Sequence, residues 1–132
     1  MLSLFNKGQA VRVVSDQVGT PTAAHDLARV VWSLLDRSSE WGGGALHATN
    51  AGVASWYDLA VAVGEVGVEV GLLSDAPIVE PIATDGYPTA AARPPYSVLE
   101  TSGTWQLVGY RLPHWRSALQ VVLENIWSAD NA

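Results

Sequence analysis

The sequence predicts an α/β fold. Three observations carry this reading: short β-rich runs alternate with helically spaced apolar residues, glycine and proline clusters separate them, and 48% of the residues are apolar. Residues 1–6 read as the end of a helix, closed by Gly8. Val11-Arg12-Val13-Val14 is a first strand. Leu27, Val30, Val31, Leu34 and Leu35 then fall at helical spacing, so a helix is expected over 22–37 with Thr22 as its N-cap. Gly42-Gly43-Gly44 breaks the chain, and Ala45 to Thr49 reads as a second strand. Ser55 with Asp58 three residues on is close to a capping box for a helix through Leu59, Ala62, Val63 and Val66. Pro77 to Ala83 is a third extended segment. A proline-rich loop from Tyr87-Pro88 to Pro95 and short turns come after it. A last helix is expected over 114–127, with Trp115, Leu119, Val122, Leu123 and Ile126 on or near one face. There is no internal repeat.

The chain of 132 residues suffices for one domain. Seven basic and thirteen acidic residues leave a net charge of −6 with no basic stripe, which argues against nucleic acid or an anionic membrane as partner. No cysteine is present, which excludes disulfides, thiolate zinc sites and cysteine nucleophiles. Asn6 and Lys7 interrupt the N-terminal apolar run before it reaches signal-peptide length, and no window approaches the ~20 apolar residues of a membrane span. The expectation is a cytoplasmic protein.

Several chemistries lack their residues. The nearest approach to a dinucleotide fingerprint is Gly64-Glu65-Val66-Gly67-Val68-Glu69-Val70-Gly71; its third glycine is one position late, and it follows a helix where a strand is required. It reads as a frayed helix end and loop. A Tyr-x-x-x-Lys pair, in which lysine lowers the tyrosine pKa, cannot exist because Lys7 is the only lysine and precedes every tyrosine. His25, His47 and His114 show no ligand spacing, so no metal site is expected.

VVSDQVGTPTAAHDLA, ASWYDLAVAV, PIATDGYPTAAARPPYSVLET and LPHWRSALQVVL occur in that order. Together they closely resemble the C-terminal half of the dTDP-4-dehydrorhamnose reductase family of extended short-chain dehydrogenases, over about residues 1–126. The resemblance implies that residues 1–127 form the C-terminal sugar-nucleotide-binding portion of such an enzyme, with 128–132 a tail and the N-terminal Rossmann half missing. In that family the other half supplies the glycine-rich NADPH loop, a catalytic threonine or serine, and the Tyr-x-x-x-Lys pair. The family reaction is NADPH-dependent reduction of the 4-keto group of dTDP-4-dehydro-L-rhamnose. No catalytic residue, metal or cofactor is therefore expected in this chain, and NADPH only beside the absent half.

The expected substrate-binding residues are Gln17, Thr22, Trp56 and Arg93. Asp16-Gln17-x-Gly19-x-Pro21-Thr22 lies after a strand and before a helix, where open α/β sheets place ligands. Gln17 can donate to and accept from sugar hydroxyls, and Thr22 with the amides behind it can meet a phosphate. The same residues also suit a capped turn, with Asp16 accepting local amides. Trp56 offers an aromatic wall to a sugar or base, or anchors its helix to the sheet. Arg93 is one of six arginines and sits in a proline-stiffened loop; its fork suits a diphosphate, or else a carboxylate that fixes the loop. Tyr87-Pro88-Thr89 reads as architectural, and the six tryptophans as core and helix-packing residues.

The expected partners are a dTDP-sugar and either an N-terminal Rossmann half or a second copy meeting an uncovered apolar face. A non-catalytic sugar-nucleotide-binding or regulatory module, and half of another extended dehydrogenase or epimerase, are the competing expectations.

Overall fold

The computed structural model describes residues 1–87 and 89–131. Pro88, within the Tyr87-Pro88-Thr89 stretch, and Ala132 lie outside the described residues. The elements run α1 (Leu2–Phe5), β1 (Val11–Val14), β2 (Val18–Gly19), α2 (Ala24–Asp36), β3 (Ala54–Ser55), α3 (Trp56–Glu69), β4 (Val79–Ile82), a 3-10 turn (Thr84–Gly86), α4 (Ser102–Val108) and α5 (Trp115–Asp130). Helices alternate with strands, so the architecture is α/β as expected.

Strands β1 and β4 pair in parallel, with Val11 opposite Val79 and Val14 opposite Ile82. α3 covers one face of this pair, where Val11, Val13 and Val79 pack on a core of Phe5, Ala60, Val63 and Leu73. Burying each of the larger side chains is worth about 1.5–3 kcal/mol. Arg12 and Glu80, at alternate strand positions, are exposed. The shorter strands β2 and β3 pair antiparallel, with Val18 opposite Ser55 and Gly19 opposite Ala54. A further core joins α2 to α4 through Val30, Val108 and Leu112. Trp115 of α5 closes another with Ala54 and Ala62.

α3 begins with a full capping box. The Ser55 hydroxyl accepts from the Asp58 amide, and the Asp58 carboxylate accepts from the Ser55 amide at 2.8 Å. The helix continues through Gly64 and Gly67, so the expectation of a frayed end there is corrected. Both glycines are buried inside α3 because other parts of the chain come too close for a side chain. A Cβ on Gly64 would stand 2.6 Å from Pro77 Cγ, and one on Gly67 2.9 Å from Leu73 Cδ1. The left-handed turn that ends α3 falls at Gly71 (φ 82°).

Other expectations are also corrected. Thr22 does not cap α2: Ala23 holds the cap position, and its amide donates to Asn50 Oδ1 at 2.8 Å, a distant side chain in place of a local one. Ala45 to Thr49 forms no strand, since it finds no strand partner among the described residues; Thr104 Oγ1 donates to its His47 carbonyl, and beyond it Ala51 makes a single bridge with His114. The residues after the proline-rich loop form helix α4 where only short turns were expected. α5 runs past its expected end at Trp127. Of the six tryptophans Trp115 is in the core and Trp105 packs on the α2–α4 core as expected; Trp32, Trp41, Trp56 and Trp127 are exposed, with Trp32 at 70%. Beside Trp32, Leu27, Val31 and Leu35 form an uncovered apolar stripe along α2. No helix among the described residues is long and apolar enough to cross a membrane.

Candidate functional site

The parallel strands β1 and β4 end side by side, and the loops leaving their carboxyl ends are stitched together. The Ser15 amide and hydroxyl both donate to the Ile82 carbonyl, at 2.9 and 3.2 Å. One residue on, Asp16 accepts from Thr84: the amide lies 3.0 Å from each carboxylate oxygen and the hydroxyl 2.7 Å from Oδ1. These bonds, the backbone one first and the side-chain one second, hold the Asp16 carboxyl below the usual carboxylate range. Asp16 therefore binds an element far along the chain; the expectation that it accepts local amides is corrected. Gln17 Nε2 donates to the same threonine oxygen at 3.1 Å.

Strand β2 then gathers the remaining pieces. On one side the Val18 amide donates to the Pro95 carbonyl, and the Ser97 amide returns a bond to the Val18 carbonyl, both at 2.8 Å. Gly19 faces Ser97 closely: a Cβ would stand 2.8 Å from its Oγ. On the other side β2 pairs with β3, which leads directly into Trp56. Gln17, Trp56 and the loop carrying Arg93 are thus drawn around one two-residue strand. Trp56 is 56% exposed and does not anchor its helix in the core. Arg93 is exposed and pairs with no carboxylate among the described residues, so nothing there holds its guanidinium away from a ligand. Thr22 stands slightly apart: its hydroxyl donates to the Thr20 carbonyl at 3.1 Å, within the turn that follows β2.

The arrangement is an exposed ledge of hydrogen-bonding groups, an aromatic ring and a cation at the carboxyl ends of parallel strands. That position is the common ligand site of open α/β sheets. A hollow of about 330 Å³ lined by Phe5, Gln9, Leu73, Pro77 and Ile78 lies elsewhere, at the amino ends of β1 and β4. It contains none of the expected site residues. The glycine string from Gly64 lies inside α3 with its faces filled by Pro77 and Leu73, so it forms no phosphate-binding loop.

Sequence reasoning missed Thr84, Ser97 and Asn50. The Thr84-Asp85-Gly86 string was a turn signal, but which side chains it meets depends on the parallel pairing of β1 with β4.

The sequence matches the family described as the RmlD substrate binding domain over residues 1–128. It is 38% identical to the spore coat polysaccharide biosynthesis protein SpsK of Bacillus subtilis, over 98% of this chain and 42% of that protein. It is also 38% identical to a probable dTDP-4,6-dihydroxy-2-methyloxan-3-one 4-ketoreductase of Streptomyces antibioticus, over 99% of this chain and 42% of that protein. The fold superposes on a dTDP-4-dehydrorhamnose reductase from Clostridium acetobutylicum with a TM-score of 0.81 and 32% identity, covering 95% of this chain and 41% of the other. The chain thus spans about two fifths of the length of these proteins.

Proposed function

We propose that this chain, which belongs to the RmlD substrate binding domain family, holds a dTDP-linked deoxysugar for reduction of its keto group. The hydride carrier and the proton donor come from a Rossmann-type half. The observation that supports this most is the gathering of Gln17, Trp56 and the Arg93 loop around β2, beyond the carboxyl ends of β1 and β4. In this reading Arg93 meets the diphosphate, Trp56 lies against the sugar or base, and Gln17 meets sugar hydroxyls. Thr22 and the amides of the loop behind it lie on the phosphate side. The domain comprises residues 1–127, and the protein works in the cytoplasm, where nucleotide sugars are made. Alone it turns over no substrate, because the chain has no Tyr-x-x-x-Lys pair and no phosphate-binding glycine loop.

The likeness to a ketoreductase named for a different dTDP-keto sugar favours a second reading, in which the sugar is another 4-keto-6-deoxyhexose bound in the same way. The test is calorimetric titration of dTDP-rhamnose and dTDP-glucose into wild type and Arg93→Ala. Saturable binding weakened about tenfold by the substitution supports the reading; no binding of either nucleotide sugar refutes it.

A further inference from the structure

We infer that Asp16 and Thr84 are positioning residues for Gln17, fixing the polarity of its carboxamide so that Oε1 is the atom offered to a ligand hydroxyl. The inference rests on the sugar-nucleotide reading for the identity of that ligand. An ionised carboxylate only accepts hydrogen bonds, so the single proton of the Thr84 hydroxyl is committed to Asp16 Oδ1, 2.7 Å away. The Thr84 oxygen is then left with lone pairs alone toward Gln17. Only the nitrogen end of the carboxamide can satisfy it, and Nε2 does so at 3.1 Å. The oxygen end is therefore turned away from Thr84. The Thr84 backbone is tied to the same aspartate, its amide lying 3.0 Å from both carboxylate oxygens.

A free glutamine presents either end of its amide with little preference, and choosing one on binding costs entropy. Here the choice is made in advance by a relay running from Gln17 to Thr84 to Asp16. Oε1 accepts and does not donate. The sugar group that Oε1 meets is therefore a hydroxyl, while the second N–H of Nε2 remains a donor. Asp16 and Thr84 touch no ligand in this scheme and act only through Gln17.

The test pairs Thr84→Val, which keeps the shape and removes the hydroxyl, with Thr84→Ser, which keeps the hydroxyl. NMR of the Gln17 side-chain amide in ligand-free protein reads the lock directly. Nitrogen relaxation is expected to show a rigid Gln17 side-chain amide in wild type and Thr84→Ser, and one mobile about the Cγ–Cδ bond in Thr84→Val. Titration with dTDP-glucose is expected to weaken about five- to tenfold in Thr84→Val and to recover in Thr84→Ser, while dTDP alone binds all three equally. Equal loss for dTDP and dTDP-glucose, or no loss for either, overturns the proposal. A Gln17 amide that is mobile about the Cγ–Cδ bond in a wild type that still binds dTDP-glucose overturns the proposal alone. A held amide in a protein that binds neither compound sinks the sugar-nucleotide reading, and the hydroxyl assignment with it.

Discussion

Asn50 Nδ2 donates to Asp26 Oδ2 at 2.7 Å, and both residues are 2% exposed. The same asparagine accepts from the Ala23 amide at 2.8 Å and donates to the Pro113 carbonyl at 3.1 Å. It thereby holds the cap residue of α2 and ties it to the segment leading into α5. Removing it would orphan a half-buried amide and strip a partner from a buried carboxylate. Asn50→Ala should therefore cost about 2–3 kcal/mol in urea unfolding. Thr22→Ala, at the position the sequence suggested as the cap, should cost no more than about 0.5 kcal/mol. A reversed order would contradict the assignment of the cap.

The Ser55 hydroxyl bond, and after it the Ser55 amide, hold the Asp58 carboxyl below the usual carboxylate range. A depressed folded pKa contributes stability above the unfolded value, about 3.9, and loses it as pH falls through the folded value. Ser55→Ala should cost about 1 kcal/mol at pH 7. The gap between wild type and variant should narrow at pH 3, as read by denaturant melts at the two pH values. An unchanged gap would show that the carboxylate contributes little to the cap.

Gly64 is tight against the Pro77 ring. Alanine normally favours a helix over glycine by about 1 kcal/mol, yet Gly64→Ala should lower stability by about 1–3 kcal/mol because the added methyl overlaps two ring carbons. A melting temperature at or above wild type would mean that the contact relaxes freely.

The stripe of Leu27, Val31, Trp32 and Leu35 on α2 suits docking by another surface. Val31→Glu combined with Leu35→Lys should cut hydrophobic-dye binding several-fold and abolish any concentration-dependent light scattering. The change in stability should stay within about 0.5 kcal/mol per site, since both side chains are exposed. Dye binding that persists unchanged would place the sticky surface elsewhere.

The helices were legible wherever a local rule sufficed. Ser55 with Asp58 announced α3, and the spacing of Val30 and Leu34 announced the packed face of α2. The exposed half of that spacing, Leu27, Val31 and Leu35, looked the same in sequence because periodicity does not say which apolar residue finds a partner. Ala45 to Thr49 has strand composition, yet strand formation needs a neighbour that composition does not supply. For the site, Gln17 and Arg93 were visible from motif and residue type. Thr84 was not, because its role arises from the parallel pairing of Val14 with Ile82, which brings together loops 68 residues apart.

The measurement that bears most directly on the central claim is a paired calorimetric titration of the purified chain with dTDP-rhamnose and with NADPH. The account predicts saturable heat for the sugar nucleotide, about tenfold weaker after Arg93→Ala, and none for NADPH. Saturable NADPH binding, or silence toward the sugar nucleotide, would contradict it.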